Sequence, residues 1–208
     1  MVAAMLGALM CLLAMGVTSK PITFKSNKLI SRSISELTSS KGFSSWFAQP
    51  NTPYKILRCN PGIIDISMLE GGKVEAALTP LNFPGVVVSS IVNFDMEFDG
   101  KRFAAYCRPD SIVQKYTGNE YFANILQKVL PRIESCTVIT YDEQSATLTN
   151  QADLAISFDL PDWFPIPAGR ISSSGSASID KNLETDINAL LDKLLELYLT
   201  SVVVEADP

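Results

Sequence analysis

The chain has 208 residues, 47% hydrophobic and 9% aromatic, enough apolar material for one packed domain with appendages. Its net charge of −5 is divided unevenly: Lys20, Lys25, Lys28, Arg32 and Lys41 face only Glu36 in residues 1–45, so the acidity lies in the remainder. An acidic body repels nucleic acid, whose binding rests on Lys and Arg neutralising phosphates, and the complete lack of histidine excludes Ser-His-Asp and Cys-His nucleophile systems, HExxH zinc sites and any imidazole acid or base.

Val2 to Val17 is almost unbroken Ala, Leu, Met, Gly and Val. That run is shorter than the roughly 20 apolar residues a membrane span needs. It ends at small residues suited to signal peptidase, Ala14-Met15-Gly16 or Val17-Thr18-Ser19, so residues 1–19 read as a signal peptide. Residues 20–45 are Ser- and Thr-rich, basic and almost free of acid, and read as a transit-peptide-like or disordered segment. A signal peptide followed by a transit peptide is the two-part leader of a complex algal plastid; the alternative is a secreted domain with a flexible tail. The folded domain is expected over residues 46–200, followed by a tail at 201–208. Of the four cysteines, Cys11 lies in the leader, and Cys59, Cys107 and Cys136 are widely spaced with no CxxC, so they read as buried reduced thiols.

Within the body, Gln49 to Pro53 form a proline-bounded turn, and Tyr54 to Cys59 with Ile63 to Leu69 fit either two strands or a short helix and a strand. Gly71-Gly72 turns the chain into a strand at Lys73 to Leu78. From Val92 to Asp99 apolar and polar residues alternate strictly, Asp99-Gly100 makes a tight turn, and Arg102 to Cys107 returns as the partner strand. Tyr121, Phe122, Ile125, Leu126, Val129 and Leu130 have helical spacing, stopped by Pro131. Glu134 to Asp142 and Ala146 to Leu160 read as long strands, the second ended by Pro161. After a Ser- and Gly-rich stretch, Ile179, Leu183, Ile187, Leu190, Leu191, Leu194, Leu197 and Tyr198 form the apolar stripe of a helix from Ser178, its expected N-cap, to Thr200.

Antiparallel strands with one apolar face, followed by a long amphipathic helix, define an α+β arrangement in which a curved antiparallel sheet is gripped by the C-terminal helix. This outline resembles the helix-grip fold of START-like and polyketide-cyclase-like proteins. Three segments, Phe47 to Leu57, Leu78 to Val88 and Thr149 to Pro167, with Gly175 and the helix closing at Leu197-Tyr198, resemble the cyanobacterial and plastid family catalogued as domain of unknown function nineteen-ninety-seven. The resemblance implies a plastid setting and a helix-grip fold, and carries over no catalytic residue.

The inward faces, Phe94, Met96 and Phe98 from one strand, Leu154, Ile156 and Phe158 from another, and Ile187, Leu190, Leu191 and Leu194 from the helix, either line a ligand cavity or fill it as a solid core. Trp163, Phe164 and Ile166, held between three prolines, form a cavity lip or membrane contact, or else plug the end of the sheet. Asp95, Glu97, Asp99, Asp153, Ser157 and Asp159 lie on the polar sides of their strands, where a solvated face explains them without a metal. An enzyme built on this chain would work without a cofactor and draw on groups such as Tyr106, Tyr141 and Arg108, which nothing in the sequence brings together. The expected function is therefore binding of a hydrophobic small ligand, a lipid, isoprenoid or pigment, or assistance to assembly at the photosynthetic membrane. A cofactor-independent cavity enzyme is the alternative.

Overall fold

The computed structural model describes residues 19–35, 40–70, 73–83, 85–129, 132–161 and 168–205. The elements run β1 (Ser19–Ser33), α1 (Ser40–Phe47), α2 (Thr52–Cys59), β2 (Ile63–Met68), β3 (Lys73–Leu78), β4 (Leu81–Phe83), β5 (Val86–Phe98), β6 (Arg102–Gly118), α3 (Glu120–Val129), β7 (Arg132–Asp142), β8 (Thr147–Pro161) and α4 (Ala168–Glu205). The strands form one antiparallel sheet in the order β1-β8-β7-β6-β5-β3-β2, with β4 paired to β5 beside this path. With one long C-terminal helix packed on its inner face, this is the helix-grip arrangement that the alternating strands imply.

Alternation explains the long strands. In β5, Val86, Val88, Ser90 and Val92 are buried while Val87, Ser89 and Ile91 are exposed, so every second residue faces the core. The β5–β6 turn is closed by Asp99, whose carboxylate accepts the backbone amides of Lys101 and Arg102 at 2.9 and 2.7 Å, with Gly100 at φ 87°. A bulge after Val92 takes up β6 residues between Cys107 and Ile112, where the Ser111 hydroxyl donates to the Arg108 carbonyl and accepts its amide.

Three expectations are corrected. The folded domain does not begin near residue 46: residues 20–33, read as transit-like or disordered, form most of β1, which pairs with β8 from Ser19–Pro161 to Ser33–Thr147. Ile22, Ile34 and Phe43 are buried. The strand is hard to recognise because its inner face alternates Ile22, Phe24, Ser26, Lys28, Ile30 and Arg32, and the polar members meet α4 instead of an apolar core. Secondly, α4 starts ten residues before Ser178, at Ala168, and runs on to Glu205 through part of the expected tail. The helix forms despite the weak helix propensity of its Ser- and Gly-rich first turns, where Gly175 lies against Phe24 of β1. Thirdly, Pro80 to Gly85 reads in the sequence as a break between strands, yet Leu81–Phe83 within it adds a short strand. Between the two readings left open for residues 54–69, the structure has the helix α2 and the strand β2. The leader at 1–18, the Gly71-Gly72 turn, the Leu130-Pro131 stop, residues 206–208 and the aromatic linker with Trp163, Phe164 and Ile166 lie outside the described residues.

The axis of α4 follows β1. Going up the strand, Phe24 lies against Gly175, the Ser26 hydroxyl donates to the Asp180 carboxylate, Lys28 pairs with Glu184 at 3.6 Å, and Arg32 reaches Asn188 at 2.6 Å and Asp192 at 3.8 Å. Eight strand residues rise about 26 Å and seventeen helical residues also rise about 26 Å, so equal lengths of the two elements stay in step. The helix is thus held at the β1 edge, while α1 and α2 close the other side.

Candidate functional site

The pairing registers resolve the inner face into rows of side chains that cross the sheet. One row is bulky and apolar except at one position: Ile30, Asn150, Ile139, Phe103 and Phe98. The next is Lys28, Ala152, Thr137, Ala105 and Met96, and the third is Ser26, Leu154, Ser135, Cys107 and Phe94. Beyond these come Phe24, Ile156 and Ile133. A belt of short side chains, Ala152, Thr137, Ala105, Ser135 and Cys107, therefore lies between two bulky rows.

Burial follows this geometry. At the end under the second half of α4 the space is full: Phe103, Ile139, Leu148, Leu191 and Leu194 are at most 1% exposed. An aromatic block stands there, with the Phe43 ring 4.7 Å from Tyr141, 5.0 Å from Tyr198 and 5.5 Å from Trp46, and Phe47 6.1 Å from Phe98. Towards the first half of α4, the inner-face residues Phe24, Ile133, Leu154, Ile156 and Leu183 are only half-buried. These apolar side chains keep some contact with solvent, where those at the far end keep none.

The residues expected at the cavity divide along this gradient. Ile187, Leu190, Leu191 and Leu194 are buried in the core. Phe94, Met96 and Phe98 are partly buried and pack against it, and Leu154 and Ile156 stand on the same inner face at the half-exposed end. Phe158 is paired with Ile22 in β1. Sequence reasoning missed Asn150. Its signal was present, because Asn150 shares the alternation of Ala152, Leu154, Ile156 and Phe158 and so places an amide on the apolar face of a strand. The Asn150 side chain is 0% exposed, and neither its Oδ1 nor its Nδ2 has a hydrogen-bond partner.

The opposite face is polar and largely self-paired. Asp95 pairs with Arg108 at 3.3 Å, Glu97 with Arg102 at 3.0 Å and Asp159 with Arg132 at 3.6 Å, while the Tyr106 hydroxyl accepts from Arg102 and donates to Glu97. A cleft of about 630 Å³ crosses β1, β8, β7 and β6 here, with Lys25, Asn27, Tyr106, Arg108, Glu134 and Asp153 around the shorter Cys136 and Ala155. Ser26, Leu154, Ser135 and Cys107 of the third inner row also border it, between these outward-facing residues. Tyr106 and Arg108 are therefore separated by the sheet from Tyr141, which belongs to the aromatic block. Among the described residues no group of His, Cys, Asp or Glu is placed to hold a metal ion.

The thiols are free. Burial pushes Cys59, Cys107 and Cys136 above the ordinary cysteine value; at Cys59 the Lys193 ammonium opposes this shift, and at Cys136 the Asp153 carboxylate adds to it. Raised values keep these groups as neutral thiols, the opposite of what a nucleophile needs. Among the described residues no helix is long and apolar enough to cross a membrane.

The chain matches no protein-family profile and no curated protein, so the resemblance to the domain-of-unknown-function family gains no support there. Solved structures of similar outline include a conserved protein from Geobacillus kaustophilus, 10% identical over 86% of this chain and 97% of that one, TM-score 0.47. A START superfamily protein from Mycobacterium smegmatis is 12% identical over 83% and 98%, TM-score 0.44. Major latex-like protein 151 from Panax ginseng is 10% identical over 84% and 98%, TM-score 0.42.

Proposed function

We propose that this protein binds a hydrophobic small molecule, of the lipid, isoprenoid or pigment class, between α4 and the inner face of its sheet. The observation that carries this reading is the burial gradient: Phe24, Ile133, Leu154 and Ile156 face inward and are only partly buried, beside a belt of short side chains, while the far end is packed solid. The site is apolar, and its inner-face cations Lys28 and Arg32 are balanced by Glu184 and Asp192, which favours an uncharged guest. Native mass spectrometry of protein isolated from its own cells should show a co-purified small molecule that is released under denaturing conditions. Recovery of protein with no bound molecule, together with no uptake of naphthalene by the recombinant chain, would overturn the reading.

For the compartment, β1 and α1 bear on how a leader can be processed. A cut near residue 19 leaves β1 almost whole; a second cut near residue 45 would remove a strand paired along its full length with β8. Export with a single leader cleavage is the processing this fold tolerates, and a plastid route must deliver residues 20–45 as part of the mature domain.

A further inference from the structure

The cleft on the outer face opens where β6 parts from β7. Their ladder ends at Cys107–Ser135, and the bulge carries Arg108 to Ser111 away from it, so Glu134 lies beyond the last β6 partner and keeps Ala155 of β8 in register beside it. On the other side of Ala155 stands Lys25 of β1. Lys25 and Glu134 are thus two strands apart, about 10 Å between Cα atoms, with the short Ala155 between them and the Cys136 thiol next to it in the floor of the cleft. The other charged groups at the cleft are engaged: Arg108 pairs with Asp95 at 3.3 Å, and the Asp153 carboxylate accepts from the Asn27 amide. Lys25 and Glu134 are exposed, and among the described residues their side chains form neither an ion pair nor a hydrogen bond.

We propose that this cleft binds a small zwitterion of the α-amino acid class, its carboxylate held by Lys25, its ammonium group by Glu134 and its side chain laid over Ala155 and Cys136. The site is on the other face of the sheet from the hydrophobic-ligand cavity and does not depend on it. Two cations, Lys25 and Arg108, and two carboxylates, Glu134 and Asp153, border the cleft, so its charges balance and a guest of no net charge suits it. A guest with only one charge meets Lys25 or Glu134 and leaves the other in water, whereas a zwitterion gains a charge-assisted hydrogen bond at each end. A dianion is opposed by Glu134 and Asp153, and a diamine by Lys25 and Arg108. The floor is small and uncharged, which leaves room for a modest apolar side chain.

The test is calorimetric titration of the full chain, at low ionic strength because exposed charges are screened by salt, with L-leucine and the two molecules that each lack one of its charges, 4-methylpentanoate and 3-methylbutylamine. The native protein should bind leucine at least tenfold more tightly than either. Lys25→Gln should weaken leucine and 4-methylpentanoate and leave 3-methylbutylamine unchanged; Glu134→Gln should weaken leucine and 3-methylbutylamine and leave 4-methylpentanoate unchanged. Both residues are exposed, so these variants should fold as the native chain does. Ala155→Leu, which fills the floor, should lower leucine affinity at least tenfold, while Lys101→Gln, which removes an exposed cation at the β5–β6 turn, should leave it unchanged. Absence of leucine binding to the native chain, equal affinity for the three molecules, or leucine affinity that survives in Lys25→Gln or Glu134→Gln overturns the site. Uptake of naphthalene reads the inner cavity separately and should be the same in all these variants.

Discussion

A glycine inside a helix is ordinarily replaced by alanine with a gain of about 1 kcal/mol, but Gly175 should behave in the opposite way. A Cβ built there falls 2.2 Å from Cε1 of Phe24, so the helix or the ring must move. Overpacking of this kind costs about 1–3 kcal/mol, which outweighs the propensity gain. Gly175→Ala should therefore lower the urea midpoint, and Phe24→Leu in the same chain should recover part of the loss; additive effects of the two changes would show that they do not meet. Leucines report on the gradient at the same scale. Leu191, 0% exposed, should cost about 2–5 kcal/mol when cut to alanine, whereas Leu154→Ala at the half-exposed end should cost less than half as much in the same denaturation assay. Equal losses would mean that both ends are packed alike.

At the scale of elements, the β5–β6 hairpin links stability to pH. The Lys101 amide, followed by that of Arg102, holds the Asp99 carboxyl below the ordinary aspartate value, and at the β7–β8 turn the Ser145 hydroxyl and then the Gln144 amide do the same for Asp142. A carboxyl whose folded value is depressed stabilises fully above its unfolded value of about 3.9, and that contribution is lost as pH falls through the lower folded value. Asp99→Asn can accept the same two amides without titrating, so its urea midpoint should fall less steeply between pH 4 and pH 2 than that of the native chain. The seam between β1 and α4 is polar but exposed: Glu184 and Asp192 keep 58% and 67% of their side-chain surface in water. Such pairs contribute roughly 0–1 kcal/mol each and weaken with salt. Lys28→Gln should shift stability by under about 1 kcal/mol, and a larger loss would show that the seam, and not the apolar stripe of Ile187, Leu190 and Leu194, holds the helix down.

For the whole molecule, the decisive experiment is truncation. Removing residues 1–19 should leave a cooperatively folded protein with native circular dichroism, while removing residues 1–45 should abolish the cooperative transition, because β1, Ile34 and Phe43 go with it. Much of this architecture was legible in the chain. The alternation from Val92 to Asp99 and from Ala152 to Leu160, and the stripe from Ile179 to Tyr198, each depend on a residue's own neighbours, and all three lie inside elements of the expected type, although β5 and α4 begin six and ten residues earlier than expected. β1 was illegible because Ser26, Lys28 and Arg32 are matched by residues of α4 about 150 positions away, and no local window contains both halves of that match. The belt of short side chains was hidden for the same reason. Ala105, Thr137 and Ala152 come from three strands and become one surface only when the register is known.

The partnership of β1 with β8 and α4 also governs how the chain comes into being. Its first strand is made early and meets its hydrogen-bonding partner only after residue 161, so at about 5–20 residues per second it waits on the order of ten seconds without a sheet to join. The domain cannot close until nearly all of it has been synthesised, which makes it a slow, high-contact-order folder. Until its last helix arrives, the chain stays extended and threadable, because its first strand has no sheet to join.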